Sequence, residues 1–259
     1  MNITWVKKND LMAAAMRAMQ PTEVVMDIGC GIVPQNFIHP QVHICCEPYL
    51  EYVEHLREKI SAIHQRDCSY VLLNMGWGEA VRYFPEKSVD TVFLVDVIEH
   101  LEEEEGRALL ALTEKMARRQ VVIFTPLGFM PQHHADGKDG WGLSGGEWQE
   151  HKSGWMPEDF IGDEWEFFVA PGFHTLDSLG LPIANPFGAF WAIKTYSSPE
   201  INNLMEREMA LHLREVDVKQ QQTLLMQKEN EINALITVRV ERKVRRLLKG
   251  MFSKKQREL

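Results

Sequence analysis

The sequence predicts an α/β protein, with a doubly wound, mostly parallel, seven-stranded sheet followed by an α-helical, coiled-coil-like C-terminal extension. Three observations carry this. Val24-Val25-Met26-Asp27-Ile28 is a short apolar run that ends on Gly29-Cys30-Gly31, the pattern of a buried parallel strand closing on a glycine turn. Apolar runs and amphipathic stretches then alternate along the chain and close with two strands in succession, which predicts a doubly wound sheet with an antiparallel edge. Beyond Pro199 there is no further proline and no glycine until Gly250, and Glu, Gln, Lys, Arg and Leu dominate. The expected organisation is a first domain over 1–197, a helical segment over 198–238 and a basic amphipathic tail over 239–259.

Residues 9–20, rich in alanine and methionine, read as a short helix ended by Pro21. The first strand of the alternation runs to Ile28, and Asp27 sits where it opens. Two glycines, Gly29 and Gly31, let a ligand approach the backbone without Cβ interference. A nicotinamide-type turn needs a third glycine, and Pro34 stands in its place. Only ten residues separate Gly31 from Val42, so the helix that usually follows such a turn must be shortened or irregular. Val42 to Cys46 is the second strand, Leu50 to Ile63 a helix with Tyr52, Val53, Leu56 and Ile60 on one face, and Tyr70 to Leu73 the third strand. Asp90 to Val95 and Val121 to Thr125 are the fourth and fifth, joined by a helix over 102–117 whose acidic start suits the positive end of its dipole. Residues 165–170 and 188–196 are the last two. Two polar insertions, 127–159 and 171–186, read as walls of an acceptor pocket. The first carries Trp141, Trp148, Trp155, His133, His134 and His151. A loop of that length in a compact domain is functional or disordered, and its tryptophans argue against disorder.

In the tail, Leu204, Leu211, Val218, Leu225 and Ile232 recur every seven residues, although the companion heptad positions are mostly charged or amide. Val240, Val244, Leu247, Leu248 and Met251 then form a stripe among basic residues. This reads as a membrane-surface helix, with an RNA-binding tail and a plain soluble helix end as its rivals. Residues 239–259 carry a net charge of +7 while the whole chain carries −9, so the remainder is −16. A body that acidic is a poor partner for phosphate backbones. The four cysteines form no C-x-x-C pair and read as reduced thiols. With no signal-like apolar run and no apolar stretch of ~20 residues, the expected location is cytoplasmic, peripheral at the inner membrane face through the tail.

The Asp27-Ile28-Gly29-Cys30-Gly31 turn resembles the first motif of the class I S-adenosylmethionine-dependent methyltransferases. The likeness extends over about 20–196 through Glu47 after the second strand, the Asp96 to Leu101 segment with its Glu99-His100-Leu101, and Val121 to Pro126. The core is similar to the type 11 and ubiquinone O-methyltransferase-like members. The tail resembles, in architecture, that of bacterial surface-polysaccharide methyltransferases. The resemblance implies that S-adenosylmethionine is held by Asp27, Gly29, Gly31, Glu47, Trp77, Glu79 and Asp96. Glu47 would take the ribose, Glu79 the adenine amino group with Trp77 over the ring, and Asp27 and Asp96 would flank the cationic donor. His100 is the first candidate for the base, with His151 beside it. Asp96, Glu99, His100 and His151 also resemble the ligand set of metal-dependent O-methyltransferases, an oxygen and nitrogen set suited to Mg²⁺, Mn²⁺ or Zn²⁺. The leading expectation is O-methylation of a saccharide or small metabolite by an enzyme that self-associates through its C-terminal helix. The alternatives are a metal-dependent RNA 2′-O-methyltransferase, against which the acidic body argues, and a non-enzymatic adaptor that keeps the fold.

Overall fold

The apolar run that ends on the glycine turn lies inside an eight-stranded sheet in the computed structural model, which describes residues 2–62, 67–176 and 180–196 and the isolated positions 214, 219, 221, 222 and 226. In chain order the elements are β1 (Asn2–Trp5), α1 (Leu11–Ala18), β2 (Val24–Ile28), β3 (Val42–Cys46), α2 (Leu50–Ala62) and β4 (Ser69–Leu73). They continue as α3 (Trp77–Tyr83), β5 (Val89–Val95), α4 (Glu103–Met116), β6 (Ala117–Leu127), β7 (Trp165–Leu176) and β8 (Pro182–Thr195). The strands lie in the order β1-β7-β8-β6-β5-β2-β3-β4. Every neighbouring pair is parallel except β6–β8 and β7–β8. From β2 the chain winds outward through β3 and β4, then returns to the other side of β2 as β5. The crevice at that reversal, beyond the carboxyl ends of β2 and β5, is where open sheets of this kind bind ligands.

Successive strand residues point to opposite faces, and both faces are covered. Met26, Ile28, Val92, Leu94, Val121 and Ile123 share one core with Leu109, Leu110 and Met116 of α4. Val25, Phe93, Val122 and Trp191 share the other with Leu11 and Ala15 of α1. Each such side chain taken fully out of water stabilises the fold by roughly 1.5–3 kcal/mol. The buried Thr22, Thr91 and Gln120 are joined side chain to side chain, Thr22 to Thr91 at 2.7 Å and Gln120 to Thr91 at 3.0 Å, so the core leaves those polar groups satisfied.

Three features depart from the sequence expectations. The sheet has eight strands, not seven, because Asn2–Trp5 adds parallel to β7 with Asn2 opposite Glu166 and Trp5 opposite Val169. This edge strand is half-buried at best, so it carries no alternating pattern to read. The insertion over 171–186 is not a loop: β7 and β8 run on into it as a hairpin, and its His174, Leu176 and Ile183 still line the cavity described below. Pro171, Pro182 and Pro186 are tolerated there because β7 has passed its β1 partner and β8 has not yet met β6. Finally, among the described residues no helix lies between Gly31 and Val42. The buried Gln35 organises that segment instead. Its Oε1 accepts the N–H groups of Phe37 and Ile38, and its Nε2 donates to the Ile38 carbonyl.

Met1–Tyr196 and Ser197–Leu259 form two separate compact units. The isolated positions in the second are helical, while the heptad stripe and the basic stripe lie outside the described residues. Among the described residues no helix is long and apolar enough to cross a membrane.

Candidate active site

The glycine turn is built on backbone that only glycine adopts readily, with Gly29 at φ 70° and Gly31 at φ 57°. The Gly29 N–H donates to the Cys46 carbonyl (2.8 Å), tying the turn to the end of β3. The Gly31 N–H donates to Glu47 Oε2 (2.9 Å), and the Tyr49 N–H to Glu47 Oε1 (2.9 Å). Glu47 is 4% exposed, and burial pushes its carboxyl up to about 7 against those two donors. Each oxygen keeps a second lone pair, so hydroxyl donors can still be accepted.

Asp27 is held differently from the sequence expectation. It is 2% exposed; its Oδ2 accepts the Gln35 N–H (2.7 Å) and stands 3.6 Å from His43 Nε2. Burial opposes a charge on His43, but Asp27 and Cys45 outweigh it and raise the imidazole to about 9. Asp27 therefore anchors the irregular segment after the turn and closes a buried ion pair. It supports the glycine turn from beneath and also lines the cavity described below.

A second group assembles where the 150–155 segment is clamped to the turn after β5. The Lys152 and Ser153 N–H groups both donate to the Glu99 carbonyl (2.7 and 3.1 Å). Ser153 Oγ and Trp155 Nε1 both donate to the Ile98 carbonyl (3.0 and 3.2 Å). These bonds bring His151 against His100, ring centroids 4.9 Å apart. One ligand atom from each of Glu99, His100 and His151 lies within 4.8 Å of the others. His100 Nδ1 is 3.0 Å from the Glu150 carbonyl and His151 Nδ1 is 2.6 Å from the Met130 carbonyl. A carbonyl only accepts, so each Nδ1 carries the proton and each Nε2 of the neutral ring is left with a free lone pair. Burial keeps both rings neutral, His100 down to about 4 and His151 below its usual value. Glu99 Oε2 accepts from Thr125 Oγ1 (3.0 Å), while Oε1 is buried with no partner among the described residues. Burial first, and then neighbouring Asp96, push the Glu99 carboxyl well up. Two neutral imidazoles fixed through their far nitrogens, with an unpartnered carboxylate oxygen, make a donor set that fits a divalent ion.

Both groups open onto one cavity of about 1490 Å³, lined by Gly31, Glu47, Asp96, Glu99, His100 and His151 among others. Ligand pockets for one small molecule usually span ~300–1,000 Å³, so this one has room for two. Of the four expected metal ligands, three converge. Asp96 does not belong to that set. It stands on the cavity wall at φ 52°, with its N–H donating to the Phe124 carbonyl. Trp77 lines the cavity half-buried, at the start of α3. Glu79 also lines it, yet its Oε2 accepts the Gly76 N–H (3.3 Å) and so caps its own helix. Trp155 is no pocket wall: it is fully buried, packed on Gly106 and Phe160. Sequence reasoning missed Gln35, His43, Tyr52 and Asp139 as members of this region. Tyr52 and Asp139 are joined at 2.5 Å across 87 residues, a pairing no local pattern announces.

No family model and no curated protein matches the chain. Solved structures do. TehB from Haemophilus influenzae is 13% identical over 71% of this chain and 61% of its own, with a TM-score of 0.47. A SAM-dependent methyltransferase from Archaeoglobus fulgidus is 14% identical over 73% and 95%, with a TM-score of 0.45. The cyclopropane synthase MmaA2 from Mycobacterium tuberculosis is 16% identical over 46% of this chain, with a TM-score of 0.37, and the chain spans only 42% of its length. The topology itself is explicit. Outward from the glycine-bearing strand the sheet is doubly wound, with the last strand inserted antiparallel next to β6. The fold is a Rossmann-like, doubly wound α/β fold.

Proposed function

We propose that the chain is an S-adenosylmethionine-dependent methyltransferase that methylates an oxygen of a hydroxyl-bearing small molecule or saccharide. One observation carries the reading: the glycine turn with Glu47, and the Glu99–His100–His151 group, face a single cavity at the carboxyl ends of the strands. S-adenosylmethionine fits the first half, where positive-φ glycines expose backbone beside a buried carboxylate able to accept ribose hydroxyls. When bound it supplies an electrophilic methyl group on a sulfonium. A divalent ion fits the second half, held by Glu99, His100 and His151, where it would lower the pKa of an acceptor hydroxyl.

The chain's own contribution is alignment and proton handling. Methyl transfer is an in-line displacement, so holding donor and acceptor in one enclosed cavity supplies much of the rate. With the ion bound, the unprotonated Nε2 atoms of His100 and His151 would be its ligands; without it, the same atoms are free to take a hydroxyl proton directly. Thr125 orients Glu99 by donating to its Oε2. Asp96, next to Glu99 on the cavity wall, contributes negative charge beside a sulfonium.

The test is transfer of a labelled methyl group to a panel of saccharides and catechols, with and without a chelator. Loss of activity with EDTA, restoration by added Mg²⁺, Mn²⁺ or Zn²⁺, and weakened metal affinity in His151→Ala support the full reading. Activity that survives EDTA and His151→Ala removes the ion and leaves His100 as a simple base. For the tail we propose self-association through 198–238 and attachment of 239–259 to anionic membrane, supported by the heptad spacing and the +7 charge.

A further inference from the structure

The 137–149 part of the long insertion is fastened over the donor end of the cavity, and the fastening is specific. Asp139 is 6% exposed and uses both oxygens. Oδ2 accepts the Tyr52 hydroxyl (2.5 Å), and Oδ1 accepts the N–H groups of Trp141 and Leu143 (2.8 and 2.9 Å). Tyr52 belongs to α2, the helix that starts just after Glu47, and its ring meets Trp141 edge-on at 5.1 Å. Gly145 has no room for a side chain because a Cβ there would strike the Tyr52 hydroxyl. One residue earlier in α2, Glu51 Oε2 accepts both the Tyr49 hydroxyl (2.8 Å) and the Ser144 N–H (3.4 Å). Tyr49 in turn stacks on Trp148 at 6.2 Å.

The consequence falls on Gly31. A Cβ there would lie 2.9 Å from the Trp141 ring, so the indole stands directly over the turn whose neighbouring strand end carries Glu47. Trp141 is nonetheless 47% exposed and lines the cavity without filling it. This chain lacks the helix that would follow its glycine turn, and the turn's own N–H groups at Gly29 and Gly31 are already donated inward. An outer wall must therefore come from elsewhere in the sequence, and the insertion supplies it.

We propose that Trp141 is a donor-binding residue, forming the wall of the S-adenosylmethionine pocket over Gly31, and that the Tyr52–Asp139 bond is what positions it. The inference rests on the methyltransferase reading, and its consequences can be separated from it. An indole face packs on a ligand's aliphatic and cationic atoms alike. Removing it exposes the bound donor to water on that side, and Tyr52→Phe keeps the ring while releasing Asp139.

The measurement is S-adenosylhomocysteine affinity by calorimetry and its dissociation rate by stopped flow. The proteins are wild type, Trp141→Ala, Trp141→Phe and Tyr52→Phe, each checked by circular dichroism. Expected are a tenfold or greater loss of affinity in Trp141→Ala, most of it restored in Trp141→Phe, and dissociation several-fold faster in Tyr52→Phe. Hydrogen exchange on the unmodified protein supplies a second measurement that needs no variant: amides of 137–149 gain protection when S-adenosylhomocysteine binds. Wild-type binding with unchanged affinity in Trp141→Ala, or no change in exchange over 137–149, overturns this inference and leaves the enzyme class standing. Failure of wild type to bind S-adenosylhomocysteine overturns the enzyme class itself.

Discussion

Glu47 and His100 show how burial sets chemistry one residue at a time. Burial raises the Glu47 carboxyl to about 7, so near neutral pH it is divided between an ionised form with full acceptor capacity and a protonated form with less. In the proposed donor site ribose hydroxyls would donate to it, so donor affinity should rise as pH increases through 7 and level off above it. Titrations of S-adenosylhomocysteine from pH 6 to 8 check this, and Glu47→Gln should flatten the profile. Burial lowers His100 to about 4, so its ring stays neutral over that whole range and adds no step to the profile. His43 behaves oppositely. Held at about 9 by Asp27 in the folded chain, against about 6.5 when unfolded, it stabilises the fold fully below pH 6.5. That contribution is lost as pH rises towards 9. His43→Phe should leave a protein whose stability declines less between pH 6.5 and 9, as followed by thermal melting.

At the scale of elements, α4 and the 150–155 segment are locked by Trp155. A Cβ on Gly106 would lie 2.4 Å from the indole. Gly106→Ala should therefore destabilise the protein by roughly 1–3 kcal/mol through overpacking, opposed by about 1 kcal/mol of improved helix propensity. The net effect, read as a melting temperature lower by a few degrees, should come with weaker metal binding as His151 shifts. The parallel strands and the helices between them were legible because each is an apolar run or an amphipathic stripe, as in Val24–Ile28 and Leu50–Ala62. Glu47, Glu99, His100 and His151 were legible because they follow strand ends or recur in a motif. Asp27's inward role was not, since it depends on Gln35 and His43 closing over it. Nor was β1, whose residues are held by register with β7 and not by a buried face.

For the whole molecule, charge is unevenly placed, +7 over 239–259 against −16 for the rest. Each basic residue near an anionic surface contributes on the order of 1 kcal/mol, screened beyond ~8 Å at physiological salt. Full-length protein should pellet with anionic vesicles at low salt and be released when 239–259 is deleted, with donor affinity unchanged. Indifference of the full chain to those vesicles would remove membrane attachment and leave assembly or RNA binding to be tried with the same truncation. The central claim is that the cavity at the carboxyl ends of β2 and β3 holds S-adenosylmethionine through Glu47. Calorimetric titration of S-adenosylhomocysteine into wild type and Glu47→Ala at pH 8 tests it most directly. Binding to wild type that weakens at least tenfold, about 1.4 kcal/mol, in Glu47→Ala is the expected result. No binding to wild type, or equal binding to both, would contradict it.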